Sequence, residues 1–258
     1  MARIHPTATV DRQAELADDV EIGAYVAIGP DVELESGVEV ASHVALMGKT
    51  RIGAGTRIFP FACIGGEPQH AAFAGEATRL EIGRRNVIRE HATVHVGTRH
   101  GGGCTRIGDD NLIMNSAHVA HDCQIGSQCI IASFCGLAGH VSVEDHAVLG
   151  AYTGVHQFAR VGESVMSASG AKLSLDAPPF AMIAGDRARL VGLNSVGLRR
   201  RAFPKETVTD LKHAFRILFR SQLRLAAALT RVREELSDVP EVERLLSFLE
   251  NSERGFCR

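Results

Sequence analysis

Aliphatic residues recur every six positions along most of this chain. From Ile4 the step of six lands on Val10, Leu16, Ile22, Ile28, Leu34, Val40, Leu46, Ile52, Ile58 and Ile64. A second run goes Ile107, Ile113, Val119, Ile125, Ile131, Leu137, Val143, Leu149, Val155 and Val161. Strands alternate with a period of two and helices turn every 3.6 residues, so neither element alone produces a period of six. Three short strands per turn do. The pattern predicts a hexapeptide β-solenoid with about eighteen residues per coil and coils stacked about 4.8 Å apart. The second residue of each unit is often small or acidic (Gly23, Gly29, Glu35, Gly53), and the fifth is small or β-branched (Val20, Val26, Val38, Cys123). First and fifth residues are expected to point inward. The glycines are expected at the corners, where backbone angles forbidden to a β-carbon are open to them.

The beat breaks twice. Gly65–Arg79, GGEPQHAAFAGEATR, has no inward periodicity, and Val94 to Ile107 is a step of thirteen across Thr98–Cys104. Both breaks, near 65–79 and 98–106, read as loops ejected from the prism, and long loops on a rigid scaffold often carry function. The beat fades after Val161, and Asp176-Ala-Pro-Pro179 ends it, since proline cannot donate to a ladder. An extended piece, Phe180–Gly185, is expected to close the prism. From about Val191 the spacing turns helical, with Val208, Leu211, Phe215 and Leu218 on one face. Helices are expected after Phe203-Pro204, over Leu223–Leu236 and over Val239–Leu249. The predicted organisation is a β-helix over 1–190 and a helical domain over 191–258.

Composition narrows the function. The chain has 258 residues, no Trp, two Tyr and a net charge of −2. A prism core has room for Ile, Val, Leu and Ala, which fits the missing aromatics. The charge implies no general affinity for nucleic acid, and no stretch approaches the ~20 apolar residues that span a bilayer. Repeats start at Ile4 with no leader-like segment before them, so the expected location is cytoplasmic. The six cysteines form no CxxC pair, and Cys123, Cys129 and Cys135 occupy inward fifth positions, as small buried hydrophobes would.

Among twelve histidines, His95, His118, His121, His140 and His156 stand out by position. An eighteen-residue coil places His121, His140 and His156 near one line up the prism, with His118 on the His121 coil. None holds a first or fifth position, so an outward row of imidazoles is expected. Acid–base chemistry suits such a row. A three-histidine metal site and a set of solvated surface histidines are the alternatives. Asp122 follows His121 and could orient it, although adjacent residues on a strand point to opposite faces. Gly139 offers a backbone N–H beside His140 for a developing oxyanion. Arg199-Arg-Arg201 opens the helical region, and Lys205, Lys212, Arg216, Arg220 and Arg224 continue a basic patch suited to a diphosphate or an acidic carrier protein.

Several segments give these residues a family context: Ala74-Gly-Glu-Ala-Thr-Arg79, Ile88-Arg-Glu90, His118-Val-Ala-His-Asp-Cys123, Leu137-Ala-Gly-His-Val141, Val155-His-Gln-Phe158 and Gly197-Leu-Arg-Arg-Arg-Ala-Phe203. In this order, and with the helical tail, the chain resembles the UDP-N-acetylglucosamine 3-O-acyltransferase family of lipid A biosynthesis, from Ile4 to Arg258. The resemblance implies a left-handed parallel β-helix and a homotrimer with active sites between subunits. It implies transfer of a 3-hydroxyacyl chain from acyl carrier protein to the 3-position of the UDP-sugar, with no metal or other cofactor. Carried over, His121 matches the general base and Gly139 the oxyanion donor. His118, His140, His156 and Gln157 match sugar or phosphate contacts, Gln69 a sugar-side contact in the first loop, and His95 a residue at the cleft. Asn194 and Arg201 match the nucleotide site, Arg200 the diphosphate or carrier region, and Ser169 a residue that limits acyl length. Ala72, His70 and Val196 depart from the common pattern, which relatives fill with Lys, Asp and Glu. The first two leave open a 3-amino acceptor and an amide product. A different hexapeptide acyltransferase, a zinc hydratase and a silent scaffold are the remaining readings.

Overall fold

The computed structural model describes all 258 residues. Short strands, most of two residues, line up in three sheets of eleven, nine and eight strands. These are the walls of a triangular prism. The first sheet runs from Arg3–Ile4 to Arg189–Leu193, the second from Thr9–Val10 to Lys172–Leu173, and the third from Glu15–Leu16 to Arg160–Val161. The winding is that of a left-handed parallel β-helix. Register follows the repeat: Ile22 pairs with Ile4 and with Val40, and Ile131 with Ile113 and with Leu149. Like residues therefore stack on like residues, and Ile52, Ile64, Ile88, Ile113, Ile131 and Leu149 are fully buried. The one antiparallel pair is the last, Ala181–Ala184 with Arg189–Leu193.

The corners differ from expectation. The residue in the left-handed backbone region is the fourth of the unit, and it usually carries a side chain: Tyr25 (φ 58°), Asp122 (φ 60°), His140 (φ 63°). The second-position glycines answer to space instead. A Cβ on Gly23 would lie 2.8 Å from the Ser42 nitrogen, and one on Gly53 would lie 2.5 Å from the Gly83 carbonyl carbon. Gly23 and Gly53 are glycine because the next coil passes against them. The fifth position also admits polar residues that the spacing did not foresee. Asn111 N donates to Asn86 Oδ1 (2.9 Å) and Cys129 N to Asn111 Oδ1 (2.7 Å), a short ladder inside one corner.

At the edge between the second and third sheets the chain is interrupted twice. It leaves the wall after Gly66 and after His95, and rejoins at Arg79 and Cys104. Arg57 pairs with Val87 and Arg79 with Cys104 across the insertions, so the winding resumes unchanged. Beyond the prism come four helices: α1 (Ser195–Arg200), α2 (Lys205–Arg220), α3 (Leu225–Glu235) and α4 (Pro240–Glu250). The one-and-a-half-turn α1 was not expected from the sequence. Val208, Leu211, Phe215 and Leu218 are buried, as the spacing predicts for α2. The tail returns to the prism, where Cys257 N donates to the Asp176 carbonyl (2.8 Å). No helix is long and apolar enough to cross a membrane. All six cysteines are free thiols, and burial pushes Cys123 and Cys129 up to about 12.

Candidate active site

Both insertions spring from the edge that carries His121 and Asp122, and they fold down over it. His121 is therefore 8 % exposed and His95 8 %, which corrects the expectation of an open row of imidazoles. His121 is still outside the prism, because its third-position side chain leaves the corner away from the apolar core. His70 of the first loop meets its ring edge-on at 5.2 Å.

Asp122 is its partner after all. Opposite-face alternation holds along a strand, but His121 and Asp122 sit at a corner, and the left-handed backbone at Asp122 turns the carboxylate back. His121 Nδ1 lies 2.8 Å from Asp122 Oδ2. That hydrogen bond puts the proton on Nδ1 and leaves Nε2 with a lone pair. The carboxylate is buried, with 3 % of the residue exposed. Thr98 N donates to Oδ1 (2.9 Å) and Thr98 Oγ1 to Oδ2 (2.6 Å), while the Asp122 N–H donates to Thr105 Oγ1 (2.8 Å).

One coil up, Gly139 lies directly over the His121 ring. A Cβ there would stand 2.4 Å from Cε1 and 2.7 Å from Nε2, so only glycine lets the imidazole come this close to the backbone. The Gly139 N–H donates to no group in the chain, whereas its neighbours Ala138 and His140 donate to Val155 and His121 carbonyls. A free lone pair and a free N–H thus adjoin.

The remaining histidines divide. His140 packs edge-on to His121 at 5.1 Å, and its Nε2 stays 3.8 Å from Asp122, beyond hydrogen-bond reach. His118 bonds Thr93 Oγ1 through Nδ1 (2.8 Å) and meets His95 edge-on at 5.0 Å. His156 does not continue the line. Phe158, eighteen residues after His140, stacks on it at 4.4 Å, and His156 falls two places earlier, on the second sheet. There it shares a groove with His118, Lys172 and Arg254. Gln157 and Gln69 are exposed beside this edge, Gln69 next to His70 on the first loop. Burial, and then the neighbouring His118 and His121, push His95 down to about 4. Burial also lowers His118 and His140. These three are neutral near pH 7, so they add no imidazolium charge beside His121.

His121, Asp122 and His140 hold their donor atoms within 4.8 Å of one another, close enough to be tested as a metal site. The Asp122 carboxylate already accepts three hydrogen bonds, from both Thr98 donors and His121. A metal would have to displace them, and the donor set fits an oriented base better than an ion cradle.

Asn194, Arg200 and Arg201 lie elsewhere, on α1 and its two caps, beside the first sheet. Asn194 caps α1, accepting from Gly197 N (3.0 Å) and donating to the Ser164 carbonyl (2.9 Å). Arg201 pairs with Glu163 (2.9 Å) and touches Ser164. Arg200 is exposed and has no carboxylate partner within the chain. With Ile130, Met166 and Met182 they line a second groove. Ser169 is exposed at the turn between the first and second sheets. Within one chain, then, the expected site residues occupy two walls and do not converge. Thr98, Thr105 and His70 were missed as neighbours of the base. Thr98 lies within an insertion whose path the repeat does not govern, so nothing in the periodicity places it on Asp122.

Comparison with known proteins follows the same outline. A family model described as bacterial transferase hexapeptide (six repeats) matches residues 104–139, and one described as Udp N-acetylglucosamine O-acyltransferase, domain 2, matches 176–257. The chain is 49 % identical over 258 residues to the acyl-[acyl-carrier-protein]--UDP-N-acetylglucosamine O-acyltransferase of Thiobacillus denitrificans, and 48 % identical over 262 residues to that of Herminiimonas arsenicoxydans; each match covers 100 % of both chains. The solved structure of a UDP-N-acetylglucosamine acyltransferase from Bacteroides fragilis superimposes with a TM-score of 0.96 at 39 % identity, covering 99 % of this chain and 100 % of that one.

Proposed function

The chain belongs to the acyl-[acyl-carrier-protein]--UDP-N-acetylglucosamine O-acyltransferase family, and from that premise we propose how its own residues divide the work. The reaction moves an acyl chain from acyl carrier protein to UDP-N-acetylglucosamine, the first step of lipid A biosynthesis. The relatives are named O-acyltransferases, so an oxygen acceptor is favoured over the amine that Ala72 and His70 left open.

His121 Nε2 takes the proton of the sugar 3-hydroxyl as that oxygen attacks the thioester carbonyl of a 3-hydroxyacyl chain. The new C–O bond forms, and the carbonyl oxygen, now negative, is met by the Gly139 N–H. The intermediate collapses with cleavage of the C–S bond, and the departing thiolate takes the proton from the His121 imidazolium. Asp122 holds the ring in the required tautomer and offsets its transient charge. The observation that carries this reading is the His121–Asp122 pair lying against Gly139, whose N–H is free. His118, His140, His156, Gln157, Gln69 and His95 line the sugar and phosphate side. Asn194, Arg200 and Arg201 take the nucleotide and diphosphate, and Ser169 bounds the acyl chain.

Those two groups sit on different walls, so a complete site needs two chains. Exposed rings at the edge where the first and second sheets meet support a three-fold assembly. Tyr25, His43, Phe61 and His91 form a column with centroids 5.0, 5.0 and 5.1 Å apart, and Phe134 stacks on Tyr152 at 5.0 Å. Turning that edge toward a common axis buries the rings and faces the second sheet of one protomer with the first sheet of the next. The expected boundary at 190 moves to the end of the strand Arg189–Leu193: residues up to Leu193 form the catalytic prism, and those from Asn194 on the helical domain that meets the carrier protein. The six free thiols suit a cytoplasmic enzyme.

The test is a mass-spectrometric product assay with acyl carrier protein thioesters and UDP-N-acetylglucosamine. An ester product that vanishes with His121→Ala supports the assignment. Undiminished turnover of that variant removes His121 as the base.

A further inference from the structure

The second insertion does more than cover the site. We propose that Thr98 is a positioning residue for the base, acting through Asp122. This rests on the acyl-transfer reading above and deepens it.

Thr98 is 4 % exposed and spends both its backbone and side-chain donors on one carboxylate. The two bonds reach different oxygens, Oδ1 and Oδ2, so together they fix the carboxylate plane. Oδ2 is the oxygen that also receives His121 Nδ1. The carboxylate cannot rotate without breaking a bond to Thr98. The loop is shaped around this contact. A Cβ on Gly101 would lie 2.0 Å from Asp122 Cγ, and one on Gly97 would lie 2.8 Å from Oδ1. Two glycines and one threonine therefore wrap the acid side of the dyad, and Thr105 takes the Asp122 N–H from the adjoining strand. A loop that served only as a lid would have no reason to place two donors on the far side of the base's partner.

The hydroxyl of Thr98 is buried and spent on Asp122, so in this proposal its effect passes through that carboxylate. That distinguishes it from ordinary packing. The experiment measures kcat and KM for wild type, Thr98→Val, Thr98→Ser, Asp122→Asn and the double variant Thr98→Val/Asp122→Asn. Removal of an outer hydrogen-bond partner of a metal-ligating histidine typically lowers activity about tenfold or more, and the same scale is expected for this histidine base. Thr98→Val is expected to lose that much in kcat with KM for both substrates within about twofold, and Thr98→Ser to recover most of it. In the Asp122→Asn background, Thr98→Val should cost nothing further, because the acceptor it held is already altered. An equal loss in both backgrounds, a serine variant as damaged as the valine one, or kcat within twofold of wild type in Thr98→Val would each overturn the proposal. If Thr98→Val does not accumulate as folded protein, Thr98→Ala reads the same cycle without placing a methyl against the carboxylate. An inactive wild type, or an active His121→Ala, would instead strike the acyl-transfer reading itself.

Discussion

At the scale of single residues, burial and a fixed partner do more for the chemistry than residue type alone. Twelve histidines are present, but one has its Nδ1 bonded to a buried carboxylate. General-base catalysis by a positioned side chain contributes roughly 10²–10⁴-fold, and His121→Ala should lose turnover on that order in the product assay. Gly139→Ala should be about as damaging for a different reason, since its methyl would displace the imidazole; a crystal structure of the variant would show the ring rotated away. The neutral histidines have a thermodynamic signature. Below its ordinary 6.5 the unfolded chain takes up a proton at position 95 that the folded chain refuses until about 4. Stability is therefore lost as pH falls through that window, since the unfolded state binds more protons there. His95→Asn should flatten the acid limb of thermal stability measured between pH 7 and 4, by roughly 1–3 kcal/mol at the acid end.

At the scale of the element, each coil is specified by which side chains can stack on copies of themselves. First-position residues pair in register, and truncation of one in mid-prism, Ile131→Ala, should cost about 2–5 kcal/mol, read from chemical denaturation. A methyl at a second-position glycine fails by overpacking instead. Gly53→Ala should destabilise by about 1–3 kcal/mol, because the Gly83 backbone lies in its way and backbone yields less than a side chain tip. The inward beat, the two interruptions, Phe180–Gly185 as an extended piece, and the helices α2, α3 and α4 could all be read from the sequence, whereas Arg189–Leu193, the strand that closes the first sheet, could not. The helix α1 could not: Ser195–Arg200 is too short to show a period, and its start depends on the Asn194 cap. The corner rule was also misread, because a glycine needed for close approach and one needed for a left-handed backbone look the same in a sequence.

At the scale of the whole molecule, the proposed function depends on two walls that one chain holds apart, and its prediction is complementation between chains. His121→Ala and Arg200→Ala chains, each expected to be weak alone, should regain activity when co-expressed. A mixed assembly contains sites with an intact His121 from one protomer and an intact Arg200 from the next. Failure to recover any activity, in particles shown by light scattering to be mixed trimers, would argue against sites shared between protomers. By itself the sequence determined the prism, its register and the line up it that His121 and His140 share, because a repeated stack makes one coil's pattern the template for the next. Only the tertiary structure decided that Asp122 turns back to His121, that Phe158 rather than His156 tops the ring stack, and that Thr98 clamps the acid. Those contacts are made at corners and by inserted loops, where neither strand alternation nor the six-residue period constrains the direction of a side chain.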